Sequence, residues 1–440
     1  LHSGLHSFPT RRSSDLVLVV DHLSALLVVL TGVVGLAALI YALARWQHAG
    51  VYFHTLFQLQ LMGLYGAFLT ADLFNLFVFF EVLLAASYGL LLHGGGPLRI
   101  RAGLHYIAIN LLASLLFLIG IAVVYGVTGT LNMADIAQKV DAIPVEDRGL
   151  LRAGVAILAT AFLAKAALWP MNFWLPGAYA ASSPPAAAIF AILTKVGVYA
   201  ILRLWTLCFP PSAAAPAPFG TEMLLWGGLV TLAFGSIGML ASHRLAHVAS
   251  FSVVASSGTL LAAVAFNMPA LGAGALYYLL SSTLAAAALF LLVELLDRAR
   301  AVAAGPELLD EGNDALPMFL DPDPPAGVNL DDNEEVLAGR AIPGALAFLG
   351  LTFSLCTLVV AGLPPLSGFV AKVAMLTPLL DTPSAVGWAY FAALIFSGLM
   401  AAVALMRVGI RHFWTALDRP APSLRLAETL PIGLLVFATV

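Results

Sequence analysis

The chain has 440 residues, 61% of them hydrophobic and only 10% charged, with a formal net charge of −4. Soluble domains carry roughly 25% charged residues, so this composition excludes a water-soluble globular protein and, with it, a basic surface for nucleic acid. The two cysteines, Cys208 and Cys356, have no metal or redox spacing and read as small apolar packing residues.

The first 16 residues, LHSGLHSFPTRRSSDL, are polar, lack an apolar signal core and run abruptly into VLVVDHLSALL. They resemble a translated sequencing adaptor and are read as a non-native leader. Beyond them, uninterrupted apolar stretches recur at the length of about 20 residues that crosses hydrocarbon as a helix. The short alternating segments of a closed barrel are not seen. Twelve membrane segments are expected in this fragment, at 22–46, 52–70, 73–93, 103–127, 150–181, 184–205, 220–241, 246–266, 270–296, 342–380, 386–410 and 427–440. The fifth and tenth are too long for one straight crossing. Each contains a break, Trp169-Pro170 in the fifth and Leu363-Pro364-Pro365-Leu366-Ser367-Gly368 in the tenth. Proline removes a backbone donor and clashes with the preceding turn. In lipid such a break persists only where it is buried in protein or lines a wet cavity. Two interrupted helices at corresponding places in two halves point to an all-α polytopic membrane protein with inverted repeats. The expected organisation is a membrane domain over 17–297, a loop over 298–341 and a second membrane domain over 342–440. The last stops inside the apolar run LPIGLLVFATV and is read as truncated.

Basic residues set the expected orientation. Arg45, Arg99, Arg101, Arg244, Arg298, Arg300, Arg340, Arg407, Arg411, Arg419 and Arg425 fall on one side, against Lys139, Arg148, Arg152 and Arg203 on the other. The first side is therefore expected to be cytoplasmic. The 298–341 loop lies there and carries ten carboxylates between Glu307 and Glu335. Its Pro, Gly, Asp and Asn content reads as a solvated linker, dispensable for chemistry.

Lysine usage is the most informative feature. Of only four lysines, three lie inside apolar segments: Lys165 in ATAFLAKAALWP, Lys195 in AIFAILTKVGVYAIL and Lys372 in SGFVAKVAML. Arginine stays charged, whereas a desolvated lysine can exchange a proton. A lysine at the bilayer centre costs about 2.5–3.5 kcal/mol on insertion scales, so three of them call for a function. Snorkelling to the headgroups could account for any one, but poorly for all three. Glu81, in DLFNLFVFFEVLLAASYGLL, is the matching mid-membrane acid and is expected to neighbour Lys165 directly or through one water. Lys165 precedes Pro170 by five residues and Lys372 follows Pro365 by seven, so both stand beside a helix break. Thr160, Ser182, Ser183, Thr194 and Ser367 could extend a wet chain, though packing or capping accounts for most such residues. His243 and His247, beside Arg244 at the cytoplasmic edge, are candidates for where protons would enter, with headgroup contact the plainer reading. No metal constellation, phosphate loop, nucleophile elbow or dinucleotide fingerprint is present, so no cofactor is expected.

Several blocks resemble a known family. DLFNLFVFFEVLLAASYGLLLHGG, followed by LHYIAINLLASLLFLIGIAVVYGVTGTLNMADIA, resembles the D subunit of Mrp-type multisubunit cation/proton antiporters. KAALWPMNFWLPGAYAASSPPAAAIFAILTKVGVYAILR and GLPPLSGFVAKVAML are similar to the core shared with the antiporter-like subunits of respiratory complex I. The resemblance covers residues 17–440 and implies a fold of fourteen helices, two of which would precede this fragment. It implies functional roles for Glu81, Lys165, Lys195 and Lys372. It also implies exchange of Na+, K+ or Li+ for protons in a bacterial inner membrane, with partner antiporter subunits. Where complex I relatives often carry a histidine on the eighth helix, this chain is apolar around Phe190. Ser281-Ser282-Thr283 likewise stands where related chains often have histidine. Water and hydroxyls would then have to bridge Lys195 and Lys372. The runner-up reading is a proton-pumping membrane subunit of a complex I-like oxidoreductase or hydrogenase, using the same residues. A purely structural membrane scaffold would leave three buried lysines without a purpose.

Overall fold

The computed structural model describes residues 18–46, 52–209, 220–304, 344–414 and 424–440. The leader at 1–16 and most of the acidic loop lie outside the described residues.

Local chemistry sets the helix ends. Helix α1 (His22–Ala44) opens on a capping box, in which Asp21 Oδ1 accepts from the Ser24 amide and Ser24 Oγ accepts from the Asp21 amide, both at 2.8 Å. After α2 (Phe53–Leu69), Asp72 caps α3 (Leu73–Leu92) by accepting from the Phe74 and Asn75 amides. Helix α4 (Pro97–Thr128) starts on a proline, whose missing donor costs nothing in the first turn, and ends on Gly129 at φ 67°. The fifth expected segment divides into α6 (Arg148–Lys165) and α7 (Trp174–Ala181). Between α4 and α6 lies α5 (Met133–Lys139), capped by Asn132. No expected segment covers it, because seven residues are too few for a periodic apolar signal. Helix α8 (Pro184–Arg203) runs on into a π turn over Leu204–Cys208. Then come α9 (Thr221–Ala241), α10 (Leu245–Ala265) and α11 (Pro269–Ala304). The tenth expected segment divides into α12 (Gly344–Ala361) and α13 (Ser367–Asp381), followed by α14 (Ala385–Gly409) and α15 (Leu426–Thr439).

Each of the twelve expected segments thus has its helix or broken pair. Nine helices among the described residues are long and apolar enough to cross a membrane. One boundary needs correction. The loop expected from 298 begins later, because α11 continues to Ala304; Arg298 is held in it by ion pairs to Glu294 and Glu428.

The crossings α2, α3, α4, α6–α7 and α8 make a set of five, an odd number. The second set, α9, α10, α11, α12–α13 and α14, therefore starts from the opposite face, and the two broken helices enter from opposite sides. Helix α6 enters beside Arg148 and α12 enters from the arginine-rich face. Contacts on each face support this direction. Arg99 Nε donates to Ala181 O at 2.9 Å, and Arg407 donates to the carbonyls of Leu240 and Ser242, all on the arginine-rich face. On the other face Arg203 pairs with Asp21.

Helices α8 and α10 are buried almost all round, as an apolar helix must be when it stands inside a bundle. Small residues let backbones approach. A Cβ at Gly197 would lie 2.6 Å from the Ala166 amide nitrogen, and one at Gly258 would lie 2.4 Å from that of Leu232. Helix α4 shows the division between lipid and protein. Leu104, Leu111, Leu115 and Leu118 are exposed, while Tyr106, Asn110 and Ser114 face inward.

Candidate functional site

The site is built on the two breaks and the two fully buried helices. At the first break, Lys165 is the last residue of α6, and its side chain is only 4% exposed. Its ammonium donates to Ser114 Oγ on α4 at 3.4 Å and stands 4.9 Å from the ring centre of Phe80 on α3. The backbone groups freed by the break are taken up by side chains. Trp174 Nε1 donates to Ala164 O at 3.3 Å, and Thr231 Oγ1 on α9 accepts from the Trp169 amide at 2.8 Å. The peptide bonds Trp169-Pro170 and Pro364-Pro365 are both cis.

At the second break, Lys372 lies in α13, 6% exposed, and reaches back to the end of α12. Its ammonium donates to Ala361 O at 2.7 Å and to Val360 O at 3.4 Å. These are last-turn carbonyls, where a cation is favoured by the helix dipole as well. Two glycines make the approach possible. A Cβ at Gly362, which sits at φ 75°, would lie 2.5 Å from the lysine Cδ; one at Gly398 would lie 3.1 Å from its Nζ.

Lys195 stands between the breaks. It is 1% exposed and eleven residues into α8, about 16 Å along a helix rising 1.5 Å per residue, hence near mid-bilayer. Its ammonium donates to Ser256 Oγ on α10 at 2.8 Å. Ser256 Oγ is in turn 2.9 Å from Ser282 Oγ on α11. Since α6 packs on α8, α8 on α10 and α11, and α11 on α12 and α13, the three lysines occupy successive packed elements.

Glu81 is half-buried on α3, and its Oε1 is buried without a hydrogen-bond partner. It is near enough to Lys165 for their charges to interact, but among the described residues no carboxylate lies within 4.0 Å of any of the three buried lysines. The direct Glu81–Lys165 pair is therefore not formed; the ammonium's hydrogen-bond partner is Ser114. The other hydroxyls named from sequence divide. Thr160 and Ser182 turn back on their own helices. Ser183 and Thr194 are buried with no partner. Ser367 donates to Thr439 O at 2.5 Å and bonds Ser281 at 2.8 Å. His243 is exposed between α9 and α10, and His247 is half-buried in the first turn of α10 on the arginine-rich face. Cys208 and Cys356 are free and buried.

Sequence reading misses Ser114 and Ser256; Ser282 it names only as part of the Ser281-Ser282-Thr283 run. Tyr106, Asn110 and Ser114 recur every four residues on an otherwise apolar helix, a signal from which Ser114 could be found. It also misses a polar cluster on the arginine-rich face. There Glu428, 1% exposed, accepts from Arg298 at 2.7 Å and lies 3.4 Å from Arg45, while Glu294 accepts from Trp46 Nε1 at 2.7 Å and from Tyr41 OH at 3.1 Å. No single segment carries these partners.

The comparisons with known proteins agree with this architecture. The model of the NADH:quinone oxidoreductase/Mrp antiporter transmembrane family matches residues 70–305. A probable K(+)/H(+) antiporter D subunit from Rhizobium meliloti (strain 1021) is 52% identical over 433 residues, covering 97% of this chain and 78% of that protein. The Na(+)/H(+) antiporter D subunit from Bacillus subtilis (strain 168) is 35% identical, covering 94% of this chain and 77% of its own. Among solved structures, a chain of the Mrp complex from Dietzia sp. DQ12-45-1b superposes with a TM-score of 0.74 at 25% identity, covering 96% of this chain and 80% of that one. With half of its length under the family model and close identity across almost all of it, this multi-pass membrane chain belongs to the NADH:quinone oxidoreductase/Mrp antiporter family, among its antiporter D subunits.

Proposed function

We propose that this chain is a proton-translocating subunit of a monovalent cation/proton antiporter complex in a bacterial inner membrane, working with the other antiporter subunits. The observation that carries this reading is the state of the three lysines. Each is buried at depth, on successive helices, and is held by neutral hydroxyl or carbonyl oxygens. An ammonium held this way is not locked by a counter-ion and can pass its proton on. Glu81 is close enough to the first lysine for their charges to interact. A proton arriving on one lysine raises the cost of protonating the next, so repulsion drives it along.

The basic residues place the arginine-rich face in the cytoplasm. His243 and His247, the candidates for proton entry, then stand on the cytoplasmic side, which inward-moving protons reach last. The relative at 52% identity is named for K(+)/H(+) exchange, which makes K+ the first cation to test, ahead of Na+ and Li+.

The test is cation-dependent proton flux in vesicles holding the whole complex. Lys195→Ala and Lys372→Ala should abolish flux, and Lys→Arg should impair it nearly as much, because arginine keeps its charge and does not release it. Glu81→Ala and Lys165→Ala should each collapse transport as well. Near-normal flux in both of the latter would remove this pair from the pathway.

A further inference from the structure

Helix α7 ends in a way that its own chain cannot satisfy. The last four carbonyls of a helix lack partners within it. The amides that would take up the carbonyls of Ala180 and Ala181 belong to Pro184 and Pro185, and proline has none. Ser182 turns its amide and hydroxyl back on Ala178 O. Ala181 O is met instead from another helix: Arg99, in the first turn of α4, donates its Nε at 2.9 Å. The guanidinium also brings a positive charge to a helix C-terminus, where the dipole favours it.

Arg99 is held on two further sides. Its Nη1 donates to His93 O at 2.8 Å and to Gly95 O at 3.2 Å, and its guanidinium carbon lies 5.6 Å from the ring centre of Trp46, just past the end of α1. Trp46 Nε1 donates to Glu294 Oε2 on α11 at 2.7 Å, and its carbonyl accepts from His93 Nε2 at 3.2 Å. At its other end α7 begins with Trp174, whose Nε1 holds Ala164 O, the carbonyl beside Lys165. Eight helical residues span about 12 Å. A continuous row therefore runs from the Lys165 break along α7 to Arg99, Trp46 and α11.

We propose that Arg99 is a positioning residue for antiport: it fixes the height and tilt of α7, and with them the setting of Lys165, and through Trp46 it ties that short helix to α11. This rests on the reading of Lys165 as a functional base. Arg99 acts on Lys165 only through α7. When the guanidinium leaves Ala181 O, the carbonyl is stranded, α7 shifts, and Trp174 loses its hold on Ala164 O.

The test measures cation-dependent proton flux in vesicles holding the whole complex, normalised to assembled complex, together with the thermal midpoint of the solubilised complex. Arg99→Gln should lower flux about tenfold, as for the loss of one charged hydrogen bond. Arg99→Lys keeps the charge and a donor for Ala181 O and should recover much of that loss. Gly94→Ala leaves every donor in place but puts a Cβ 2.5 Å from Arg99 Nη1, so the guanidinium must move. It should lower flux as well, and it carries the test if Arg99→Gln fails to assemble. Gly129→Ala, at the other end of α4, is its control. Gly129 is also left-handed, at φ 67° against 86°, and its Cβ would meet nothing within 4 Å. Both substitutions should lower the thermal midpoint alike, but only Gly94→Ala should lower flux. Trp46→Leu should lower flux too, and combined with Arg99→Gln it should lose no more than the worse single variant, because groups that act as a unit are not additive. Equal flux in Gly94→Ala and Gly129→Ala, or no recovery in Arg99→Lys, would overturn the positioning role. Losses that multiply in the double variant would overturn the link through Trp46. Lost flux in Lys165→Ala with full flux in Arg99→Gln would overturn this proposal alone. Full flux in Lys165→Ala would overturn the reading of that lysine on which it rests.

Discussion

The polar group that each buried lysine meets governs how it can work. Lys165 has a single hydroxyl partner, Ser114, and an aromatic face, Phe80. A hydrogen bond to a charged group contributes about 1.5–3 kcal/mol, and tenfold in rate corresponds to about 1.4 kcal/mol. Ser114→Ala should therefore slow cation-dependent proton flux by roughly tenfold without loss of assembled complex. Unchanged flux would make Ser114 a packing residue only. Lys165 and Lys372 are legible in the sequence as costly charges beside proline breaks. Ser114 is only partly so: its recurrence with Tyr106 and Asn110 singles it out, but serine is common on helix interfaces and its meaning depends on what it faces.

At the scale of the element, the breaks act through backbone geometry. The end of α12 offers carbonyls to Lys372 only because Gly362 turns the chain in a left-handed conformation and has no Cβ to meet the lysine. Gly362→Ala would put a Cβ 2.5 Å from the Lys372 Cδ and 2.7 Å from its Nζ. That strain, about 1–2 kcal/mol from φ alone, should displace the ammonium from Ala361 O. Flux should fall well before the complex becomes unstable to heat. Gly350→Ala on the same helix is the comparison, since its nearest neighbour would be Phe413 at an ordinary 3.7 Å; it should leave both flux and stability unchanged. Equal effects of the two substitutions would show that α12 tolerates no added methyl and would remove the special role of Gly362.

Across the whole molecule, polar clamps on the two faces hold distant helices together. Glu428 ties α15 to α1 and α11 through Arg45 and Arg298. Removing it takes one of two carboxylates from the partly buried Arg298, which keeps Glu294, and the ion-pair partner from the exposed Arg45, so Glu428→Ala should destabilise the solubilised complex by about 1 kcal/mol, read as a lower thermal midpoint. No change in midpoint would show that the apolar contacts of α15 suffice. On the opposite face Arg203 donates to both oxygens of Asp21, at 2.5 and 2.7 Å. Burial alone would raise the Asp21 pKa; the bonds from Arg203 and Ser24 outweigh it and hold the carboxyl down at about 2. A depressed carboxylate stabilises the fold at pH values above its unfolded pKa near 3.8, and that contribution disappears as pH falls toward 2. After allowing for solvent screening it is worth about 1 kcal/mol. Asp21→Asn should lower the midpoint at pH 7 and narrow its gap to the parent as pH drops below 4. A gap that is constant with pH would assign the effect to packing.

Taken alone, the sequence determined the membrane class, the twelve segments, both breaks and the three buried lysines with Glu81. Each of these is a local property: an apolar run of bilayer length, a proline that cannot donate, or a charge with apolar neighbours on both sides. Tertiary structure alone decided which group each charge meets. Lys195 finds its partner 61 residues away at Ser256, and Glu428 finds Arg298 across 130 residues. Those pairings depend on how each helix is rotated about its axis and which glycine lets a neighbour close in. In a bilayer, hydropathy cannot specify either, because lipid and protein interior are nearly equally apolar, so the choice between them falls to packing and hydrogen bonding.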